Sequence, residues 1–304
     1  MPAGPLFDVL GVGTNSVDTV LQLPRGMSSA SQPSKIRVRT KTVRMGGQTA
    51  TALATCASLG LRTAYLGAIG SDESGRLMRA ELTRRGIDLR YTVERDTPNH
   101  FAVILVDEST GDRTVLWGHE ATLHLAPTEI TLEHVAAARV LHVDDVDVDA
   151  AIRAAELAQR AGVAVTSDLD RLDEKTPALV RAVSFPIFAE HMPAALTGET
   201  DHERALRTLR REHAGVLCVT LGERGAVALD GDRLIEVPGV RVAAVDTTGA
   251  GDVFRGGFIY GVINGWAIDK VLAFATAAAA VSCTKAGAMD GVPTQEEIDA
   301  VWRA

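Results

Sequence analysis

The sequence has little of what several large classes of protein require. Its three cysteines, Cys56, Cys218 and Cys283, are odd in number and far apart, so a disulfide framework is not expected. They form no CxxC pair and no cluster with histidine, so the common pattern of zinc ligands is absent from the sequence. No apolar run is long enough to span a bilayer, and no basic segment followed by an apolar run opens the chain. We therefore expect a cytoplasmic protein with no membrane partner.

Positive charge and aromatic side chains are also scarce. The net charge of −8 leaves no basic excess with which to bind nucleic acid non-specifically, although a local basic pocket for a nucleotide stays compatible with it. Aromatic residues make up only 4% of the 304 residues, so alanine and branched aliphatic side chains must fill the core. The hydrophobic share of 46% is enough for a core of substantial size.

Strand-like and helix-like segments alternate through the second half of the chain. From Val140 onward, short apolar runs such as 163–168 alternate with amphipathic stretches such as 150–161. This alternation indicates a mostly parallel sheet that is covered by helices on both faces. A last helix is predicted to begin at Thr294, with Glu297 three residues later as the second member of a capping box.

Two earlier regions do not fit that scheme. Polar and apolar residues alternate over 36–43, which predicts a half-exposed strand, and 100–117 has the pattern of a hairpin around a turn-rich segment. These regions predict a small separate sheet. We expect it to be inserted from about 14–45 and 98–120 into a single domain that spans 1–304.

The segment 246–257, with the sequence DTTGAGDVFRGG, carries the strongest chemical signal. The preceding run 240–245 is predicted to be a strand and the following residues 253–262 a helix, so the glycines lie where an extended segment becomes a helix N-terminus. Glycine there lets backbone N–H groups face a ligand, and the end of the helix adds partial positive charge. Together these features predict a phosphate site.

Asp252 lies within that predicted anion site. A carboxylate would repel a phosphate, unless it takes the proton of a hydroxyl that attacks the phosphoryl group beside it. The alternative is that Asp252 caps the helix and the glycines form a plain turn. The spacing alone leaves both interpretations open.

Three segments resemble signatures of the ribokinase-like (PfkB) carbohydrate kinases, in the same order along the chain. They are the Gly-Gly pair in 45–47, the strand and turn 219–225, and 246–257, which matches the family pattern DTxGAGD with its glycine-rich helix start. The likeness extends over 7–293. It implies a ribokinase-like three-layer α/β/α fold with a mostly parallel central sheet and a small β-sheet lid. It also implies ATP-dependent phosphorylation of a hydroxyl on a sugar such as ribose, fructose or a ketosugar.

The resemblance assigns catalytic roles within the third segment. Asp252 becomes the general base, and the backbone amides of Gly249, Ala250 and Gly251 become the hole for charge that develops on the γ-phosphate. No Walker A pattern is present, so a P-loop mechanism is not expected. ATP and Mg²⁺ are the implied cofactors, and the sugar is the implied partner.

The resemblance also implies a sugar site. Asp18 would accept hydrogen bonds from two sugar hydroxyls, and the lid, with Trp117 as a possible contact, would exclude water. The expected substrate-binding residues are Asn15, Asp18, Gly46, Gly47, Gln48, Thr51, Ala102, Ile104 and Asp145. Thr51 stands where most relatives have asparagine, and Gln48 where ribokinase has lysine, so the particular sugar stays open.

Nucleotide and cation sites follow from the same resemblance. The residues expected at the nucleotide are Thr220, Gly222, Gly225, Thr276, Ala279 and Cys283. The ligands expected for a monovalent cation, usually K⁺, are mostly backbone carbonyls of Asp246, Thr248, Ser282, Lys285, Gly287 and Gly291. Many relatives organise Mg²⁺ through an NxxE motif, whose matching positions here are Ala189 and Met192. Only the adjacent Glu190 is left to substitute for it.

Some polar residues keep two interpretations. The basic residues of the predicted lid either protect an edge strand from aggregation or form part of a dimer contact or of a pocket for an anionic substrate. These residues are Arg37, Arg39, Lys41 and Arg113. Because dimers through the lid are common among relatives, we expect a homodimer. The stretch 167–171, SDLDR, either ends a strand at a ligand site or caps the next helix.

Two other functions remain open. A nucleoside kinase of the same family would share the hydroxyl geometry, although the lid has few aromatic residues for stacking beyond Phe101 and Trp117. A catalytically silent relative that senses sugar or nucleotide would lack the acid of the GAGD motif, and Asp252 is present. A dinucleotide site at 11–16 is not expected, because GVGTNS lacks the third glycine.

Overall fold

The computed structural model describes residues 4–24, 35–110, 113–118 and 120–302. The strands are β1 (Phe7–Val12), β2 (Ser16–Leu23), β3 (Thr40–Gly46), β4 (Thr63–Leu66), β5 (Ala68–Gly70), β6 (Val93–Arg95), β7 (Phe101–Asp107), β8 (Arg113–Gly118), β9 (Ala138–Asp144), β10 (Ala164–Asp168), β11 (Ile187–Ala189), β12 (Leu217–Thr220), β13 (Ala226–Asp230) and β14 (Arg233–Val237). The helices are α1 (Gln48–Ser58), α2 (Glu73–Arg84), α3 (Leu132–Ala136), α4 (Val148–Ala161), α5 (Thr176–Ala182), α6 (Met192–Thr197), α7 (His202–Leu209), α8 (Ala250–Ile263), α9 (Ile268–Ser282) and α10 (Gln295–Trp302).

Two four-stranded sheets join into one central sheet. The first, in the order β10-β9-β1-β4, is parallel throughout, and the second has the order β11-β12-β13-β14, with its last two pairings antiparallel. The N–H of Ala189 donates to the carbonyl of Leu169 at 2.8 Å, and the N–H of Leu169 donates to that of Ile187 at 3.0 Å. These bonds connect the β10 edge to β11. The predicted α/β class with a mostly parallel sheet is confirmed.

Helices cover both faces of this sheet. β1 is buried along nearly its whole length, as expected for a central parallel strand with apolar side chains on both faces. Alanines and Leu157 of α4 pack into the core on one face, while α1, α8 and α9 cover the other. A Cβ on Gly256 would lie 2.4 Å from Cβ of Thr55, so the glycine lets α8 approach α1 closely. Across the described ranges, no helix combines the length and the apolar character that crossing a bilayer requires.

A separate small sheet has the strand order β3-β2-β7-β8. The predicted hairpin is confirmed, because β7 and β8 pair antiparallel, while β2 and β7 pair parallel. In the register, Asp18 is opposite Ala102, which is itself opposite Trp117. Since directly opposite residues share a face of a sheet, these three side chains lie on one face.

The strand predicted at 36–43 begins later than expected. β3 starts at Thr40, and in front of it only Arg39 bonds to β2, where its N–H donates to the carbonyl of Gln22 at 2.8 Å. In the register Gln22 lies opposite Thr40, so the residues that would lie opposite 36–37 fall within 25–34. Within the predicted lid regions, residues 25–34, 111–112 and 119 and the side chain of Arg113 lie outside the described part of the chain.

The strand predicted at 240–245 is wrong. This run is irregular and largely exposed, and the N–H of Val245 donates to the carbonyl of Cys283 at 2.7 Å instead of to a neighbouring strand. β14 ends just before Pro238, which has no N–H to donate, and a Cβ on Gly239 would lie 2.0 Å from the carbonyl oxygen of Glu223. The chain therefore packs against a turn and leaves the sheet.

Candidate active site

A cleft of about 460 Å³ lies between the small sheet and one edge of the central sheet. Its body side is formed at the C-terminal ends of parallel strands, where Thr14 follows β1, Asp168 ends β10 and Thr220 ends β12. Ala102 and Trp117 close it from the small sheet. The carboxyl edge of a parallel sheet is where α/β proteins bind ligands, because the connecting loops converge there.

The N-terminus of α8 forms one wall of this cleft. Gly249 is the N-cap, with φ +79°, a left-handed conformation that favours glycine, and a Cβ there would lie 2.6 Å from Cα of Ala288. Gly249, Gly251 and Asp252 line the cleft, and Ala250 lies between them at the start of the helix. Free N–H groups at a helix start attract anions, so this wall has the character of a phosphate site.

Asp252 belongs to a cluster of three charged groups. Arg255, one turn further along α8, places its Nη2 2.8 Å from Oδ1 of Asp168, and this pair is almost fully buried. Asp168 and Asp252 both line the cleft, and hydrogen bonding with the Asp168 carboxyl is one of the causes that raise the pKa of Asp252. Burial, and then the charge of Asp168, raise the pKa of Asp252 well above its usual range, while Arg255 opposes the shift. Burial likewise raises the pKa of Asp168 to about 7.

Asp144, at the end of β9, fixes the floor of the cleft. Its Oδ2 accepts hydrogen bonds from the N–H of Thr14 at 2.6 Å, from Oγ1 of Thr14 at 2.9 Å and from Oγ1 of Thr49 at 2.8 Å. One carboxylate oxygen therefore joins β9 to the turn after β1 and to the start of α1. A carboxylate with three such donors is held rigidly, so the cleft floor is preformed.

Asn15 connects the cleft to the base of the small sheet. Its Nδ2 donates to the hydroxyl of Tyr65 at 2.9 Å and to the carbonyl of Ala68 at 2.8 Å, and its Oδ1 accepts from Nδ2 of Asn99 at 2.8 Å. Gly47, across from it, has φ +96°, and a Cβ there would lie 2.4 Å from Cα of Asn15. Only glycine fits that approach.

Asp18 lies at the junction of the small sheet with the body. Its Oδ1 accepts a hydrogen bond from Oγ of Ser16 at 2.5 Å, and a Cβ on Gly46 would lie 3.2 Å from its Oδ2. Burial raises the pKa of Asp18. Its side chain shares a face with Ala102, which does line the cleft.

Asp145 orients a loop through two backbone bonds. Its Oδ2 accepts the N–H groups of Asp170 and Arg171 at 2.6 and 2.7 Å, and burial raises its pKa to about 6. The guanidinium of Arg171 lies 5.8 Å from the ring centre of Trp117 on the small sheet. Body and small sheet therefore meet across the mouth of the cleft through a cation–π contact.

The cleft brings together eight of the nineteen residues predicted for catalysis, substrate binding and nucleotide binding. Those that line it are Asn15, Gly47, Gln48, Ala102, Thr220, Gly249, Gly251 and Asp252. The predicted residues that lie outside its lining, among the described parts of the chain, are Asp18, Gly46, Thr51, Ile104, Asp145, Gly222, Gly225, Ala250, Thr276, Ala279 and Cys283. The assigned roles of both groups stay predictions.

The residues predicted to hold a monovalent cation lie close together. The carboxylate of Asp246 accepts the N–H of Thr248 and that of Gly287, each at 2.9 Å, and so joins two loops. The carbonyl oxygens of Gly287 and Ser282 lie 2.6 and 3.2 Å from the position that a Cβ on Gly291 would take. Both carbonyls accept backbone N–H groups, that of Gly287 from Gly291 at 2.9 Å and that of Ser282 from Lys285 at 3.0 Å. Nζ of Lys285 bonds instead to Glu297 at 2.6 Å.

The positions matched to the magnesium motif do not supply ligands. Ala189 lines the cleft but has no donor atom, and Met192 is fully buried. Glu190 forms an ion pair with Arg224 at 2.5 Å, beside a second, shallower pocket and outside the lining of the cleft. Within the described residues, no group of three or more His, Cys, Asp or Glu side chains could hold a metal ion.

Arg255 is the functional candidate that the sequence analysis missed. It lines the cleft, yet it is only 3% exposed. The signal was present: an arginine within the apolar helix segment VFRGGF must be either exposed or paired, and flanking glycines indicate that this part of the helix is buried. Thr14, Ser16, His100, Gly118 and Val146 also line the cleft without having been singled out.

The fold and the cleft define an α/β protein whose ligand site lies between a parallel sheet and a small covering sheet. The sequence profile of the pfkB family carbohydrate kinases matches residues 16–295. A match over so much of the chain means that this protein belongs to the pfkB family of carbohydrate kinases. The resemblance drawn from the GAGD and Gly-Gly segments is confirmed.

Individual relatives agree with this placement. The chain is 29% identical to an uncharacterized sugar kinase from Archaeoglobus fulgidus, over 77% of this chain and 96% of that protein. It is 28% identical to a ribokinase from Haemophilus influenzae, over 84% of this chain and 86% of that protein. The crystal structure of a ribokinase from Thermotoga maritima has a TM-score of 0.85 at 23% identity, covering 98% of this chain and all of that one. This last likeness shows the fold alone.

Proposed function

We propose that the protein transfers the γ-phosphoryl group of ATP to a hydroxyl of a sugar, with Asp252 as the general base. The observation that carries the proposal is the placement of this carboxylate at the N-terminus of α8, on the wall of a cleft covered by the small sheet. Membership of a carbohydrate kinase family gives the reaction class. Curated relatives named as sugar kinase and ribokinase support a sugar as the acceptor.

The proposed reaction needs little covalent chemistry from the protein. The acceptor hydroxyl loses its proton to Asp252, its oxygen forms a bond to the γ-phosphorus, and the bond to the β–γ bridging oxygen breaks to release ADP. The N–H groups of Gly249 to Gly251 stabilise the charge on the equatorial phosphoryl oxygens. The small sheet acts as a lid that keeps water away from the phosphoryl group, and the contact between Arg171 and Trp117 supports its closed position.

Mg²⁺ fits this site only as a partner of the nucleotide. The NxxE side chains are replaced by Ala189 and Met192, and Glu190 is committed to Arg224. Phosphate oxygens of the nucleotide and water would therefore hold the metal, which would neutralise phosphate charge. A K⁺ ion would be held by the carbonyls around Gly291, where its charge would support the start of α8. Replacing K⁺ by tetramethylammonium in the kinase assay tests this site, and an unchanged kcat would contradict it.

An ADP-release screen of the purified protein tests the function directly. It should cover pentoses, hexoses, ketosugar acids and nucleosides, with acceptor-free protein as the blank. We expect acceptor-dependent ADP release with at least one sugar. No acceptor-dependent release in any class, at millimolar acceptor and with K⁺ and Mg²⁺ present, would favour the silent sensing relative.

A nucleoside acceptor is the second candidate, and one observation favours it. Phe101 and Trp117, the aromatic residues of the small sheet, both line the cleft, and a nucleobase could stack on the ring of Trp117, which shares a face with Ala102. The same screen separates the two classes. Trp117→Ala should raise the KM for a nucleoside at least tenfold, whereas a sugar needs no such stacking.

We also propose a cytoplasmic homodimer that forms through the lid. Val20, Ile104 and Val115 lie in one row across the small sheet, on the same face as Asp18 but further from the body, and Val115 is 52% exposed. A second copy of the lid would cover this apolar row. Val115→Asp should halve the mass in sedimentation. The control Leu132→Asp, at a similarly exposed position on α3, should leave the mass unchanged. A monomeric wild type would contradict the dimer.

A further inference from the structure

The ion pair beside Asp252 is buried in the wall of the cleft, and Arg255 also donates to the carbonyl of Ile187 at 3.3 Å. Arg255 and Asp168 are 3% and 2% exposed, and they join α8 to the end of β10. Burying an ion pair costs about as much desolvation energy as its attraction returns, so apolar residues of the same volume would hold these elements together as well or better. The pair lines the cleft, which suggests that its charges act on a reaction there.

The carboxyl groups of Asp168 and Asp252 can form a hydrogen bond only when one of the two is protonated. Asp168 and Asp252 are within hydrogen-bonding reach of each other, and two ionised carboxylates cannot donate to one another. The bond therefore exists when the two carboxyls hold one proton between them. With that proton, and with the charge of Arg255, the buried cluster is electrically neutral; without it, the cluster carries a net charge of −1. A neutral cluster is the less costly state in a buried site, so one shared proton suits these three groups.

We propose that Asp168 is a positioning residue that shares, through its hydrogen bond with Asp252, the proton which Asp252 removes from the acceptor hydroxyl, and that Arg255 sets how readily the pair accepts it. This inference rests on the proposed function and deepens it. The O–H bond of the acceptor breaks, the proton becomes part of the Asp252–Asp168 hydrogen bond, and the electron pair of the acceptor oxygen forms the new bond to phosphorus. The proton leaves to solvent after product release, when the cleft opens.

The other ionisable groups around the cluster either favour the protonated Asp168–Asp252 pair, oppose it, or are neutral. Asp144, Asp145 and Asp170 surround it with negative charge and favour the protonated pair. His142 on β9 is buried and neutral, since burial lowers its pKa to about 3, and Cys218 on β12 stays a thiol, since burial raises its pKa to about 12. Arg255 is the positive group that opposes the carboxylates within this set. Substituting it or its partner should therefore shift the titration of Asp252 in opposite directions.

The test is the acid limb of the pH profile of kcat/KM, which reports the free enzyme. In Asp168→Asn the negative neighbour is lost and Arg255 remains, so the acid limb should move to lower pH, with a lower plateau because Asp252 becomes a weaker base. In Arg255→Met the positive neighbour is lost, so the limb should move to higher pH. A charge within hydrogen-bonding distance shifts a carboxyl titration by about 1–3 pH units. Arg255→Lys should return the limb toward its wild-type position.

Single substitutions leave one buried charge unpaired, so the double variant Asp168→Asn/Arg255→Met provides the fold-neutral comparison. Its limb should lie between those of the two single variants. Glu129→Gln is the matched control, because it breaks the 2.6 Å ion pair with Arg95 away from the cleft and should leave the limb in place. Limbs that move in the same direction, or by less than half a pH unit, would overturn the proposal.

A measurement without turnover separates this inference from the proposed function. The carboxyl carbon of Asp252 can be titrated by ¹³C NMR in aspartate-labelled protein, with Asp252→Asn for assignment. The titration should shift in opposite directions in the two single variants even if no acceptor has been found. Unmoved titrations would refute the coupling, whereas opposite shifts in a protein without kinase activity would refute only the proposed function.

Discussion

Asp252→Asn should abolish turnover and make the protein more stable. Asparagine keeps the shape of aspartate and can donate its amide to Asp168, so the packing at the start of α8 is preserved. It cannot accept the proton of the acceptor hydroxyl. Loss of a general base costs about 10²–10⁴ in rate, which corresponds to about 3–5 kcal/mol of transition-state stabilisation.

The stability change follows from the direction of the pKa shift. Because the folded-state pKa of Asp252 is raised, the folded protein binds its proton more tightly than the unfolded chain does. The group therefore favours folding below the pKa of an unfolded aspartate and disfavours it as the pH rises toward the folded-state value. At neutral pH asparagine removes that penalty, with a gain of about 1–2 kcal/mol, as is common when a destabilising active-site charge is removed. Tm should rise by a few degrees.

Two assays on the same preparation check both halves of this prediction. Coupled ADP release at saturating ATP and acceptor gives kcat, and thermal unfolding at pH 7 gives Tm. Turnover within tenfold of wild type would remove Asp252 from the base role. Lost turnover together with a lower Tm would mean that the carboxylate is a structural cap, the alternative that the sequence alone left open.

Three further perturbations test other parts of the structure. Asp18→Ala should raise the sugar KM with little effect on background ATP hydrolysis, and an unchanged KM would remove Asp18 from the acceptor site. Gly256→Val should destabilise by about 1–3 kcal/mol in urea titrations, because its Cβ would lie 2.4 Å from that of Thr55, whereas Gly4→Val, with nothing within 4 Å, should not. His142 is buried with a pKa of about 3, below the unfolded value near 6.5, so stability should fall by up to about 1.4 kcal/mol per pH unit between those values as the pH drops. His142→Gln should flatten that slope, and an unchanged slope would contradict the assignment.

Local patterns in the sequence predicted local structure well. The capping box at the last helix is confirmed, since the N–H of Thr294 donates to Glu297 at 2.8 Å and the N–H of Glu297 donates to Oγ1 of Thr294 at 3.3 Å. The hairpin of the small sheet and the alternation of strands and helices are confirmed as well. In each case the residues that interact are close together in the chain, so a local sequence pattern is enough to predict the local structure.

The strand predictions that were wrong concern segments whose structure depends on residues far away in the chain. The run 240–245 has the composition of a strand, but it found no neighbouring strand and bonds to the end of α9 instead. β3 begins at Thr40, four residues after the predicted start, where it lies opposite Gln22 near the end of β2. A strand exists only by pairing, and the partner is not encoded in the strand itself.

The sequence by itself determined the family, the class of fold, and the helix start that presents Asp252, because a glycine-rich turn and a helix N-terminus are properties of a dozen consecutive residues. Only the tertiary structure decided which groups surround that carboxylate. Asp168 lies 84 positions before Asp252 in the chain, and it joins Asp252 and Arg255 only because β10 ends beside the start of α8. Long-range electrostatics depend on distance in space and on burial, and neither quantity can be read from the order of residues.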